Sequence, residues 1–149
     1  MDTVHILLVE DNEGDIVLTK EALAEGRIAN TLTVVRNGRD AIDCIFQKGA
    51  YKKAKRPDLI LLDVNLPLKS GHEVLEKVKE DEVTRQIPVI MLTTSSSDQD
   101  VKRSYKAHAN CYITKPVGAD AFVRAVLTIE DFWFRLVHLP DKPPSKPIG

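Results

Sequence analysis

Asp58-Leu59-Ile60-Leu61-Leu62-Asp63-Val64-Asn65-Leu66-Pro67 contains the run that decides the fold. A strand with one wet face alternates apolar and polar side chains, but Leu59 to Leu62 is apolar at every position. That pattern predicts a strand covered on both faces, at the centre of a parallel sheet. The run ends on a carboxylate, Asp63, and Pro67 then forces a loop.

Working outward, the same design repeats. His5 to Val9 (β1) ends in Glu10-Asp11, and Val89 to Leu92 (β4) ends in Thr93. Cys111 to Thr114 (β5) ends in Lys115-Pro116, and β-branched Thr31 to Val35 supplies β2, with Leu59 to Leu62 as β3. Helix-period segments lie between them. Ile16, Leu18, Ala22 and Leu23 mark α1 over Asp15 to Glu25, with Gly26 as its stop. Ala41, Ile42, Ile45 and Phe46 mark α2 after an Asn37-Gly38 turn, with Gly49 as its end. Val74, Leu75 and Val78 mark α3, and Asp98 to Ala107 is a polar α4. Ala121, Phe122, Ala125, Val126, Ile129, Trp133 and Leu136 share one face of a long α5. Alternating strands and helices predict an α/β fold: a doubly wound five-stranded parallel sheet with helices on both faces.

The remaining composition bounds the function. The chain has 149 residues, enough for one core, and 43% are hydrophobic. A net charge of -1 offers no basic field for nucleic acid, and no apolar run is long enough to span a membrane. The opening Met1-Asp2-Thr3-Val4-His5 has no basic leader, which argues for a cytoplasmic protein. Cys44 and Cys111 stand apart and read as small buried hydrophobes. The scattered His5, His72, His108 and His138 show no ligand spacing and read as structural or exposed. Residues 4–139 are expected to form the domain, and the proline-rich 140–149 a disordered tail. Lys52 to Pro57 reads as a solvated basic connection.

Ligands of such sheets sit beyond the carboxyl ends of the strands. Glu10, Asp11, Asp63, Thr93 and Lys115 all end strands, so they are predicted to converge there. Clustered carboxylates raise one another's pKa, and a divalent cation and an ammonium relieve that. An all-oxygen ligand set suits Mg²⁺. Asp11 and Asp63 could bind it directly, Glu10 directly or through water, and a backbone carbonyl near Asn65 could complete the protein's share. Lys115 would supply the opposing charge. Asp63, ending the central strand, is the best-placed nucleophile for an aspartyl phosphate. Lys115 and the Thr93 hydroxyl are placed to stabilise phosphoryl oxygens.

Four segments carry a resemblance. Leu7 to Asn12, Asp58 to Pro67, Pro88 to Thr94 and Tyr112 to Pro116, in that order, resemble the receiver domain of bacterial response regulators. The resemblance covers residues 4 to 138. It implies a flavodoxin-like strand order of 2-1-3-4-5 and phosphorylation of Asp63 by a separate histidine kinase. It implies Mg²⁺ on Asp11, Asp63 and the Asn65 carbonyl, with Glu10 assisting, and phosphoryl contacts from Thr93 and Lys115. It also suggests a cis Lys115–Pro116 peptide. The family commonly has Asp-Asp where this chain has Glu10-Asp11, which leaves direct or water-mediated metal contact by Glu10 open. Cys111 to Lys115, the basic stretch before β3, and Ile129 to Trp133 with Leu139-Pro140 are similar to stand-alone regulators paired with cyanobacterial phytochrome kinases.

Two residue readings stay open at this level. Tyr112 is either core packing or a rotamer switch that fills space vacated by Thr93 and reshapes the α4-β5-α5 face. Trp133, Phe134 and Leu139 suggest an apolar α5 extension that makes a homodimer. The competing activity is a phosphatase with an aspartyl-phosphate intermediate. That chemistry wants a second Asp two residues after the nucleophile, where this chain has Asn65. A flavin module is disfavoured because Glu10 and Asp11 would repel the cofactor phosphate. The expected role is therefore a phosphoacceptor that signals to a downstream protein or phosphotransfer partner, with only self-phosphorylation and self-dephosphorylation as chemistry.

Overall fold

Leu59 to Leu62 has water on neither face, so it needs helices above and below, and the fold supplies both. The computed structural model describes residues 3–26 and 29–133. Five strands, β1 (Val4–Val9), β2 (Asn30–Val35), β3 (Leu59–Leu62), β4 (Val89–Thr93) and β5 (Cys111–Thr114), pair in parallel in the order β2-β1-β3-β4-β5. Five helices connect and cover them: α1 (Glu13–Glu25), α2 (Gly38–Ile45), α3 (Gly71–Glu80), α4 (Asp98–Lys106) and α5 (Ala119–Asp131).

The alternation of β3 side chains splits the core into two layers. Ile60 and Leu62 join Leu7, Val9, Val89 and Met91 under Ile45 of α2 and Leu75 of α3. Leu59 and Leu61 join Ile6, Leu8 and Ile90 under Ile16 of α1 and Phe122 and Val126 of α5. Each Leu or Ile buried this way contributes roughly 1.5–3 kcal/mol from removed apolar surface. The edge strands β2 and β5 are only partly covered. Helix α4 is the least buried of the five helices: Ser104 is its one buried residue.

Several predicted boundaries move, for local reasons. Asn12 caps α1 by accepting the Asp15 amide at 2.9 Å, so the helix starts at Glu13 and Asp15 lies in its first turn. Asn37 caps α2 in the same way through the Asp40 amide, so Asn37-Gly38 opens a helix rather than making a free turn. The first left-handed residue after α2 is Gln47, at φ 56°, and Gly49, also at φ 56°, begins a short 3-10 turn to Tyr51. The sequence pattern placed a stop at glycine, but the chain tolerates glutamine there. Ser70 and Glu73 form a reciprocal capping box on α3. Phe134, Leu136, His138, Leu139 and the 140–149 tail lie outside the described residues.

Candidate functional site

Register brings the strand ends level. Val9 pairs with Leu62, Leu62 with Met91, and Thr93 with Thr114. The next residues therefore emerge together: Glu10 beside Asp63, with Lys115 one strand beyond Thr93. Backbone bonds fix the exit points, from Asp63 N to Val9 O at 3.1 Å and from Lys115 N to Thr93 O at 2.7 Å.

Carboxylate oxygens of Glu10, Asp11 and Asp63 lie within 4.8 Å of one another. Glu10 and Asp63 are buried, and Asp11 is exposed at the rim. This all-oxygen trio fits a hard divalent cation, which would neutralise charges that otherwise repel. Lys115 closes the inner side. Its ammonium donates to Glu10 in a very short bond, to Asp15 at 2.8 Å and to Asp63 at 3.2 Å. An ammonium has three N–H donors, so these carboxylates saturate it.

The electrostatics follow from burial and pairing. Burial pushes the Glu10 pKa up, and bonds from Lys115 and the Asn12 amide only partly offset it. Burial works against the Lys115 ammonium, yet its bonds to Asp15 and Glu10 and the Asp63 charge raise its pKa well above the usual lysine range. The lysine is thus held charged among acids.

The other sequence candidates sit around this centre. Asn65 is exposed, and its amide donates to Asp63 Oδ1 at 3.3 Å. Thr93 is fully buried, and its hydroxyl oxygen accepts the Ser95 amide at 3.3 Å. Tyr112 is half-buried and packs on the α2–α3 side of the core. Its hydroxyl donates to Ser95 O at 2.8 Å. Thr93 and Tyr112 therefore meet through Ser95. The Lys115–Pro116 peptide is trans, and Lys115 reaches its partners all the same.

Residues 6–127 match the family model of the response regulator receiver domain. The chain belongs to this family. A receiver of this kind from Synechocystis, response regulator Rcp1, is 44% identical over 135 residues, covering 91% of this chain and 92% of that protein. The crystal structure of a phosphorylated cyanobacterial phytochrome response regulator, RcpA, superposes with a TM-score of 0.92 at 44% identity, covering 94% of this chain and 100% of that one. A Mn²⁺-bound form of Rcp1 gives 0.89 at 43% identity, covering 92% and 99%. Among the described residues of this receiver, no helix is long and apolar enough to cross a membrane.

Two features of the receiver were not read from sequence. Asp15 joins the Lys115 cluster from α1. The only local signal was Asn12-Glu13-Gly14-Asp15, a helix-start pattern that places Asp15 in the first turn of α1 without saying what it faces. His72, in the first turn of α3, is buried, the structural of its two readings, and its Nε2 lies 3.0 Å from Asp100 Oδ1 on α4. Ser95 Oγ donates to the same carboxylate at 2.5 Å, and these bonds hold the Asp100 pKa below its usual range. Nothing in the spacing of residues 72, 95 and 100 announces that link.

Proposed function

We propose that this receiver accepts a phosphoryl group on Asp63 from a sensor histidine kinase and signals by reshaping its α4-β5-α5 face. The observation that carries the reading is Lys115 at 3.2 Å from Asp63, with the Glu10 and Asp11 carboxylates on the same pocket. An Asp63 oxygen attacks the phosphorus of the donor phosphohistidine. A P–O bond forms, the P–N bond breaks, and the imidazole leaves with the bonding pair. Lys115 meets charge developing on the phosphoryl oxygens, and the Thr93 hydroxyl turns from Ser95 to donate to one of them. Asp11, Asp63, the Asn65 carbonyl and Glu10 would hold Mg²⁺, and the bound cation would supply charge neutralisation between nucleophile and phosphoryl oxygens. Likeness to phytochrome response regulators supports a phytochrome-type kinase as donor.

The output face is argued from packing. Helix α4 buries little, and its start is tied to Thr93 and Tyr112 through Ser95. Movement of Thr93 toward the phosphoryl group therefore disturbs an element held by few apolar contacts. Reaction of the full chain with a small acyl phosphate and Mg²⁺ tests the acceptor. Intact-mass spectrometry should show one added phosphoryl group, absent in Asp63→Asn. Equal gain in that variant moves the acceptor elsewhere, and steady turnover of a generic phosphate ester would instead mark a phosphatase.

A homodimer through α5 is the second part of the proposal. Phe132 is half exposed and meets Trp133 edge-on at 5.7 Å, an aromatic pair at the end of the helix. Light scattering at micromolar concentration, with and without phosphorylation, should return a dimeric mass in at least one state. A monomer in both removes the dimer.

A further inference from the structure

The donor count at Lys115 leaves no N–H free for a phosphoryl group. Glu10, Asp15 and Asp63 each take one. Phosphorylation turns the Asp63 carboxylate into an acyl phosphate, so the N–H now on Asp63 at 3.2 Å can pass to a phosphoryl oxygen, and any closer or second contact requires Glu10 or Asp15 to release the ammonium. Glu10 is a poor candidate for release. Its side chain is 4% exposed and also accepts the Asn12 amide, so a carboxylate left there would be buried without its cation. The Asp15 side chain is 24% exposed, and water can replace the ammonium. Its own position is fixed: its amide donates to Asn12 Oδ1 and its carbonyl accepts from Thr19 Oγ1 at 2.7 Å.

Resting on the acceptor role of Asp63, we propose that Asp15 is a positioning residue that competes with the phosphoryl group for Lys115. Its carboxylate draws the ammonium toward α1 in the resting chain and yields it on phosphorylation. Asp15 thereby weakens the hold of the site on phosphoryl-like anions. The metal trio does not need this charge, and among the described residues the Asp15 carboxylate is hydrogen-bonded to the lysine alone.

Beryllofluoride, a tetrahedral phosphoryl mimic, titrated calorimetrically at saturating Mg²⁺, tests the idea. Asp15→Asn keeps the shape and removes the charge. It should bind beryllofluoride about tenfold tighter than the unaltered chain, the worth of one charge-assisted hydrogen bond. Asp15→Glu, which keeps the charge, should stay near the unaltered value. Glu13→Gln, two residues away in the same turn and paired with Arg36 at 2.6 Å, controls for net charge. Unchanged affinity in Asp15→Asn overturns the proposal. An equal gain in Glu13→Gln also overturns it, because the effect is then bulk charge. Should Asp15→Asn fail to fold, Asp15→Ser serves with the same criteria. Failure of the unaltered chain to bind beryllofluoride overturns the acceptor reading itself. Binding there with no Asp15 effect overturns only this inference.

Discussion

Lys115→Met will lower the unfolding free energy at neutral pH by about 3–5 kcal/mol, the cost of removing one partner from a buried ionic cluster. Three carboxylates contact this ammonium, and its side chain is only 5% exposed. Without it, Glu10 and Asp63 stay buried as neighbouring anions. Methionine fills the volume of the stem, so the loss reports charge rather than a cavity. Two additions should restore much of the stability. Mg²⁺ supplies the missing positive charge and binds only the folded chain. Acid does the same by neutralising Glu10, whose pKa burial already pushes up.

The pH dependence has a definite sign. The folded Lys115 pKa is raised above its unfolded value, near 10.4 for lysine, so its contribution is complete below that pH and fades only as pH climbs through the folded value. Across neutral pH the unaltered chain is therefore flat in this respect. Burial raises the folded Glu10 pKa, and losing the Lys115 bond raises it further. The folded variant then binds protons more readily than the unfolded chain, and falling pH stabilises it. Urea unfolding at pH 7 and pH 5, with and without Mg²⁺, measures all of this. A variant as stable as the parent at pH 7 without metal would mean that the cluster carries no such energy.

Gly71→Ala will damage fold and chemistry together. A Cβ at Gly71 would stand 2.0 Å from the Asp63 carbonyl oxygen and 2.8 Å from the Asp63 carbonyl carbon and Val64 Cα. These are backbone atoms and cannot rotate aside. The Gly71 amide also donates to Val64 O at 2.9 Å, so the start of α3 must back away from the β3 exit and stretch that bond. Overpacking of this kind costs about 1–3 kcal/mol. The backbone that shifts carries Asp63, and a 1 Å misplacement can slow a reaction about 100-fold. Thermal unfolding and the rate of phosphorylation should both fall sharply. Gly49→Ala is the control: at φ 56° it strains the backbone, but no atom lies within 4 Å and it is remote from Asp63. It should lose stability alone. A normal phosphorylation rate in folded Gly71→Ala would show that this contact does not place Asp63.

The glycines mark where sequence reading thins out. Gly38 and Gly71 read as turn and loop residues, which suggests a need for unusual φ. Neither has positive φ. Gly38 is required because its Cβ would sit 2.0 Å from Lys69 O, with the Gly38 amide bonded to Pro67 O. Both glycines let helices press on the loop that carries Asp63, and close approach between distant segments leaves no local trace. Asp15 was missed for a related reason. It looked like the first residue of α1, and only the crossing of α1 over the strand ends makes it a lysine partner. His72 and Asp100 sit on two different helices, and their contact depends on how α3 and α4 lie side by side.

Residue order alone determined the number and type of elements, the central place of Leu59 to Leu62, and the set of polar residues at strand ends. These follow from local rules: an apolar run must be covered, and strands in a parallel sheet all point their carboxyl ends one way. Which acids the single ammonium binds, which serine joins Thr93 to Tyr112 and α4, and where backbones touch were decided by tertiary packing. Those outcomes depend on distances of a few tenths of an ångström between segments up to 105 residues apart, from Glu10 to Lys115. Periodicity and motif spacing carry no information at that scale.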